Sequence, residues 1–489
     1  MRRDSSLALK YKAILAYTGI ATTVVGATML APLAVLVAWP HEWPTVGGFA
    51  ALGIATIFAG IALYRQFRPP EMILDVQEGG VLVLVSWGLA CLLGALPLML
   101  LGDLTLAGAV FESVSGWTTT GLSVVDVTTA TKSVLLFRST MQLVGGAGFA
   151  IIMVAALIGP GGTGVPDAEG RTEQLVPHVR KSAKLVLTIY TGYVVLITFL
   201  YAVFGMSLFD AVNHAFAAVS TGGFSTQPES IGHWNSPALE AVSLVGMLLG
   251  QTSFLTAYLV LVGNLKAAAR DGEVQYTFVV GVLCIGLLLI GVTGSLYPTL
   301  GKSVRVAVFE VTSALTTTGF STVSYTGWNS LGIGVLILLM LIGGGTYSTA
   351  GGLKQYRVYV LMKALLWEIR RSLLPNKVVE ENYIWSGGRK SYIRDEHIRR
   401  IAVFSFLYFV SFAVGTEIIA AHGYTLSDAA FEYASSQGTV GLSVGVTRAD
   451  APVGVLWVEI LGMFLGRLEF LVVLTGLLRV ARDFLRLVR

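Results

Sequence analysis

Residues 436–445 read SQGTVGLSVG, a run rich in glycine, serine and threonine set between two strongly apolar segments. The run has relatives in the same chain. FESVSGWTTTGLS starts at Phe111, NHAFAAVSTGGFS at Asn213, FEVTSALTTTGFS at Phe309 and FEYASSQGTVGLS at Phe431. The four align without a gap on Gly121, Gly223, Gly319 and Gly441, each followed by Leu-Ser or Phe-Ser. Two places before each glycine stands a threonine: Thr119, Thr221, Thr317 and Thr439. Sixteen places before the glycines the same register gives Thr105, Ser207, Ser303 and Thr425, all residues preferred as helix N-caps.

The surrounding chain is a membrane protein by composition. Of 489 residues 54% are hydrophobic and 13% charged, with a mean hydropathy of +0.73, whereas a soluble domain carries roughly 25% charged residues. Apolar stretches near the length that crosses a bilayer occur at 13–38, 46–64, 80–101, 134–158, 184–205, 238–263, 274–297, 330–367, 400–421 and 453–478. The first, behind a Met-Arg-Arg start, is longer than a signal-peptide core and is read as retained. Cys91 and Cys284 sit in different apolar spans and suggest neither a disulfide framework nor a metal site.

Each copy of the repeat therefore reads as span, short capped helix, polar loop, span. A helix of about twelve residues, Leu106 to Trp117 in the first copy, is too short to cross a bilayer at about 1.5 Å per residue. It has to be re-entrant. Non-helical backbone at membrane depth is tolerated only inside protein or against water, because unpaired N–H and C=O groups in lipid cost several kcal/mol each; four hairpins around one axis satisfy that condition together. The expected fold is an all-α polytopic membrane protein: two extra N-terminal transmembrane helices (1–70) and four pseudo-symmetric units around one pore (71–165, 166–268, 269–372 and 373–489).

Lys and Arg distribution sets the expected orientation. Arg2, Arg3, Lys10 and Lys12, then Arg65 and Arg68, then Arg171, Arg180, Lys181 and Lys184, then Lys266 and Arg270, the run from Lys354 to Arg400 and the C-terminal arginines all fall on one side. The alternate loops hold only Lys132, Arg138, Lys302, Arg305 and Arg448. Both termini are expected in the cytoplasm, in a cell membrane. This inside-positive pattern accounts for the basic tracts without nucleic acid.

Rings of backbone carbonyls can replace the hydration shell of a permeating potassium ion, as in four-fold TVGYG filters, and glycine lets backbone approach an ion closely. The literal Thr-Val-Gly occurs once, at Thr439, Val440 and Gly441; the other copies are degenerate. Short helices whose C-termini point at the loops add a field that favours cations. Glu112, Glu310 and Glu432 lie on those helices, with His214 at the equivalent place in the second copy. They are read as structural partners behind the filter rather than as a cation-attracting vestibule, because an acid buried at membrane depth must be paired or hydrogen-bonded.

The four units resemble the Trk/Ktr/HKT superfamily of potassium transporters, and the two extra spans resemble its TrkH type. FRSTMQLVGGAGFAII from Phe137, IGGGTYSTAGGLK from Ile342 and GMFLGRLEFLVVL from Gly462 carry the likeness along the chain. The resemblance implies potassium, the transported ion, held by carbonyls of Thr119, Thr120 and Gly121; Thr221, Gly222 and Gly223; Thr317, Thr318 and Gly319; and Thr439, Val440 and Gly441. A serine at the first of these glycines is associated with sodium transport in related plant transporters, so Gly121 favours potassium.

The eighth span is interrupted by Gly343, Gly344, Gly345, Thr346, Tyr347, Ser348, Thr349, Ala350, Gly351 and Gly352. That is too glycine-dense for an undisturbed helix, at about 1 kcal/mol per glycine relative to alanine, and it matches the family's intramembrane gating loop, although Gly345-Thr346-Tyr347 replaces the frequent Cys-Ala-Gly. Arg467, inside the last apolar stretch, must face the interior. Pairing with Glu459 or Glu469 is one reading; the resemblance puts it instead in the pore beneath the filter, beside the gate. Lys354 is read as a cytoplasmic-end anchor.

Three function classes follow: a gated potassium channel or uniporter, an H+- or Na+-coupled potassium symporter, and a membrane enzyme. The last finds no His/Cys cluster, nucleophile elbow or HExxH helix, so the chain is not expected to be an enzyme. GPGGTG from Gly159 lacks the Walker lysine and reads as a loop, so no nucleotide is expected on this chain. The resemblance implies a homodimer and a cytoplasmic ring of nucleotide-binding subunits of the TrkA type, with 373–400 as the contact.

Overall fold

The computed structural model describes residues 2–67, 76–147, 179–375 and 381–488. The second half of the fourth expected span and the Gly159–Gly164 loop lie outside them. Six of the ten expected spans are helices long and apolar enough to cross a membrane: Leu9–Val37, Pro40–Phe67, Glu78–Leu101, Ala183–Val203, Gly272–Leu296 and Asp395–Ala420.

Two other expected spans are broken. Pro237–Gln251 and Phe254–Leu261 meet at 110°, and Val453–Leu468 meets the following helix at 99°. The first break follows from Thr252 and Ser253: Thr252 leaves the helix in an extended conformation, and the Ser253 side chain caps the next helix by accepting from the Leu255 N–H at 3.3 Å. The second falls at Glu469, whose φ is +63° and whose carboxylate reaches Arg357 at 2.7 Å. The eighth stretch divides, as its glycines imply, into helices Ser330–Ile342 and Gln355–Leu373.

The two N-terminal helices cross where small residues let their backbones touch. A Cβ on Gly19 would run into the Gly60 carbonyl, and one on Gly26 into that of Gly53. This is the close packing that small residues permit between membrane helices.

The four short helices run Leu106–Trp117, Leu208–Val219, Leu300–Leu315 and Leu426–Gln437. Three start at the expected caps. Thr105 accepts from the Gly108 N–H, Ser207 from that of Asp210 and Thr425 from that of Asp428. In the third unit the cap is Thr299, just after Pro298, and the helix is one turn longer; Ser303 lies inside it and donates to the Thr293 and Thr299 carbonyls. Thr299 accepts from the Lys302 N–H at 3.3 Å, so the helix extends back to it.

A two-stranded antiparallel hairpin, β1 (Tyr383–Ser386) and β2 (Arg389–Tyr392), lies in the expected cytoplasmic segment, turning through Gly387 and Gly388 at φ +56° and +78°. Sequence reading did not anticipate it. Cys91 and Cys284 are both free and buried.

Candidate functional site

The segments after the four short helices share one unusual backbone. Thr119, Thr221, Thr317 and Thr439 have φ of +56°, +51°, +54° and +51°, and the glycines two places later +94°, +73°, +81° and +100°. A β-branched residue at positive φ is an outlier, and such strain persists only where surrounding structure over-determines it. Here the restraint comes from the preceding helix. In each copy the threonine N–H and the next N–H turn back to helix carbonyls: Thr119 to Gly116, Thr120 to Ser115, Thr221 to Ala218, Gly222 to Ala217, Thr317 to Ala314, Thr318 to Ser313, Thr439 to Ser436 and Val440 to Ser435, all at 2.7–3.2 Å. The donors are thus spent on the helix ends.

The four segments close into a ring. A Cβ on Gly121 would sit closer than 3.0 Å to the Gly222 carbonyl oxygen, one on Gly223 to that of Thr318, one on Gly319 to that of Val440, and one on Gly441 to that of Thr120. Each copy therefore touches the next, and the fourth returns to the first. Above the ring opens a cavity of about 630 Å³, lined by all four glycines and by Ser123, Asp126, Glu229 and Ser443 among others. Two hydrogen bonds from Thr128, hydroxyl first and N–H second, hold the exposed Asp126 carboxyl below its ordinary value.

The acids on the short helices lie behind the ring, fully buried. Glu112 accepts from Ser123 Oγ and the Val124 N–H, both at 3.0 Å, and from Arg138 Nε at 2.5 Å. Glu310 accepts from Thr322 N–H and hydroxyl and from the Tyr325 hydroxyl; Glu432 accepts from Ser443 Oγ and from the N–H groups of Val444 and Thr447. His214 joins Ser225 Oγ at 3.0 Å and the Asp210 carbonyl at 2.8 Å. All four pin the segment that leaves the ring. Arg138, counted from sequence among loop charges, is instead 2% exposed on helix Lys132–Gly146, with its guanidinium 4.0 Å from the Phe224 ring centre. A lone arginine in an apolar stretch opposite a buried glutamate was the available signal.

Residues Gly343–Gly352 lie directly against the threonine end of the ring. The Gly351 N–H donates to Thr317 Oγ1 at 2.7 Å, Thr221 Oγ1 donates to Thr349 Oγ1 at 3.1 Å, and a Cβ on Gly351 would collide with Thr439 Oγ1. The buried Thr119 and Thr439 hydroxyls find no hydrogen-bond partner among the described residues. The loop is tied to the break at Thr252–Ser253, which sequence reading missed: Thr349 N–H reaches the Gly250 carbonyl, Gly345 N–H that of Gln251, and Phe254 N–H that of Tyr347. Gln-Thr-Ser inside an apolar stretch was the sign. Glu273 accepts from the Thr346 N–H at 2.8 Å.

Two cations hold successive carbonyls of this loop. Arg467 Nη1 donates to the Thr349 carbonyl at 2.9 Å and Nη2 to that of Gly145 at 2.6 Å, while Lys354 Nζ donates to the Ala350 carbonyl. Arg467 pairs with neither carboxylate considered for it, since Glu469 binds Arg357 and Glu459 lies against the Thr447 hydroxyl. Lys354, at φ +80°, thus bonds back to the loop that precedes it.

Residues 48–481 match the TrkH family, described as cation transport proteins. The chain is 30% identical over 457 residues to an uncharacterized cation transporter of Methanocaldococcus jannaschii, covering 92% of each. It is 30% identical over 488 residues to the Trk system potassium uptake protein TrkI of Halomonas elongata, covering 97% of each, and 29% identical over 481 residues to TrkH of Escherichia coli, covering 94% of this chain and 97% of that one. The crystal structure of the potassium transporter TrkH from Vibrio parahaemolyticus superimposes with a TM-score of 0.82 at 26% identity, over 96% of this chain and 98% of that one. These relatives are transporters and not enzymes. With that match across most of its length, the chain belongs to the TrkH family of multi-pass cation transport proteins.

Proposed function

We propose that this chain is the ion-translocating subunit of a Trk-type potassium uptake system, passing K+ inward through the ring formed by the segments 119–121, 221–223, 317–319 and 439–441. The ring carries the reading. The first two N–H groups of each segment are turned back to the helices and its glycines sit where any side chain would strike a neighbouring carbonyl, which favours carbonyl oxygen as the polar lining offered to a cation. The four short helices direct their C-terminal ends to it, adding a negative field.

The loop 343–352, with Arg467 and Lys354, is the gate. Its Gly351 N–H and Thr349 hydroxyl take up two ring threonines, and its Thr349 and Ala350 carbonyls are neutralised by protein cations rather than left to the ion. Opening requires these contacts to part. The basic tracts support both termini in the cytoplasm. Relatives named as parts of a Trk system support assembly with further components; we read these as a second copy of the chain and a cytoplasmic nucleotide-binding ring, for which the β1–β2 hairpin is an available surface.

Purified protein in vesicles tests the reading by potassium uptake and by reversal potentials under opposed K+, Na+ and H+ gradients. We expect potassium to dominate in the wild type and Gly121→Ser to reduce its preference over sodium; an unaltered preference overturns the filter assignment. A reversal potential that follows the proton or sodium gradient would replace uniport by symport.

A further inference from the structure

The second quarter of the ring is built differently from the other three. Six places before the ring glycine, the first, third and fourth copies carry a buried serine, Ser115, Ser313 and Ser435, and the second carries Ala217. The serines brace their own segments from behind: Ser115 Oγ accepts from the Gly121 N–H at 3.0 Å and donates to the Leu122 carbonyl at 2.6 Å, Ser435 Oγ accepts from the Gly441 N–H at 3.0 Å, and Ser313 Oγ donates to the Phe320 carbonyl at 2.5 Å.

Ala217 has no hydroxyl to offer. In its place Gln142, fully buried on the Lys132–Gly146 helix of the first unit, reaches across to the second segment. Its Nε2 donates to the Gly222 carbonyl and its Oε1 accepts from the Phe224 N–H at 3.1 Å. Gly222 completes the exchange. The other copies have Thr120, Thr318 and Val440 there, whereas a Cβ on Gly222 would collide with the Gln142 amide. Three departures from the repeat, Ala217, Gly222 and the glutamine brace, thus form one substitution of a brace from outside for a brace from within.

The brace differs in what it grips. A serine holds the N–H of the glycine or the carbonyl after it, whereas Gln142 holds the carbonyl before the glycine, Gly222, the one that abuts Gly121 in the ring. We propose that Gln142 is a specificity-determining positioning residue: it fixes the Gly222 carbonyl, and with it the spacing of the second quarter of the ring, so that the ring discriminates between potassium and the smaller sodium ion. The proposal rests on reading the ring as the cation filter.

The test is the K+ to Na+ permeability ratio from bi-ionic reversal potentials in vesicles, for wild type, Gly121→Ser, Gln142→Leu, Gln142→Glu and the double variant Gln142→Ala with Ala217→Ser. Gln142→Glu keeps an acceptor for the Phe224 N–H but loses the amide donor, so it carries the test if the leucine variant does not fold. We expect the ratio to fall by about tenfold, the scale of one backbone hydrogen bond, in both single Gln142 variants. The double variant should not recover it, because a serine at 217 would grip the glycine N–H or the carbonyl after it and leave the Gly222 carbonyl unheld; full recovery would overturn the assignment to that carbonyl. A role confined to folding would lower the yield of protein and leave the ratio of the folded fraction unmoved, which would overturn the proposal. If Gly121→Ser shifts the ratio and the Gln142 variants do not, the positioning role fails alone; if none shifts it, the filter reading fails as well.

Discussion

Arg467 and Thr349 meet across 118 positions of sequence, the guanidinium Nη1 donating to the backbone carbonyl at 2.9 Å. The same guanidinium holds Gly145 through Nη2, so one side chain bridges the loop of the third unit and the helix end of the first. Hydrogen bonds to charged groups contribute about 1.5–3 kcal/mol each. Removing them with Arg467→Ala should release the loop and raise potassium flux at least about tenfold, the change that 1.4 kcal/mol produces in an equilibrium. Arg467→Lys, which cannot span both carbonyls in a fork, should fall between the two. Radiotracer uptake into vesicles of matched protein content reads the difference, and equal fluxes would remove Arg467 from the gate.

The ring glycines are distinguishable from the many others in the chain by what surrounds them. Gly319→Ala and Gly441→Ala each force a methyl group into a neighbouring carbonyl at a positive φ. Both should abolish selective uptake, with little potassium preference left in bi-ionic measurements. Gly281→Ala and Gly334→Ala meet open space and should transport as the wild type does. Selective loss in the second pair would mean that the ring is not the discriminating element.

The ring and its helices were legible because each copy repeats the same small alphabet at fixed spacing, so Thr105, Thr119 and Gly121 could be checked against three counterparts. What lacked a counterpart was hidden. The breaks at Thr252 and Glu469 occur once each in their units and are held by tertiary contacts, with Gly345 and Thr349 for one and Arg357 for the other. Ser303 shows the opposite error: register argued for a cap, but Thr299 stood nearer the preceding Pro298, and local chain direction decided. Arg138 looked like a loop charge because only the fold brings Glu112 to it.

That Arg138–Glu112 pair is buried, with relative side-chain exposures of 2% and 0%. Breaking one side of a buried ion pair costs about 3–5 kcal/mol because the other charge is left uncompensated. Arg138→Met should therefore lower the thermal unfolding temperature sharply in detergent, and Glu112→Gln with Arg138→Met should lower it less than Arg138→Met alone. A double variant as unstable as the single one would show that packing against Phe224, not charge, is what the arginine supplies.

Asp126 supplies a charge in the cavity above the ring. Because the Thr128 bonds depress its carboxyl value, the negative charge is retained as pH falls until the medium drops below the ordinary carboxylate range. Asp126→Asn should reduce uptake at low ionic strength, and by the same factor at pH 7 and pH 5; salt should erase the effect, since exposed charges are screened. A reduction that vanished already at pH 5 would point to a different titrating group.

Thr317 and Thr119 occupy equivalent places in the ring, yet only Thr317 accepts from the loop, through the Gly351 N–H at 2.7 Å. The buried Thr119 hydroxyl has no hydrogen-bond partner among the described residues. Valine matches threonine in shape and removes only the hydroxyl, so the two variants separate the duties of the ring. Thr317→Val strands the Gly351 N–H, a loss of about 1–3 kcal/mol for a buried donor left unmade, and destabilises the shut loop; basal flux should rise. Thr119→Val loosens no loop contact, so basal flux should not rise; apparent potassium affinity should fall if the free hydroxyl serves the ion. The two are resolved by measuring initial uptake rates over a range of potassium concentrations. A rise in basal flux in both would mean that the ring hydroxyls hold the fold in common rather than dividing between gate and ion.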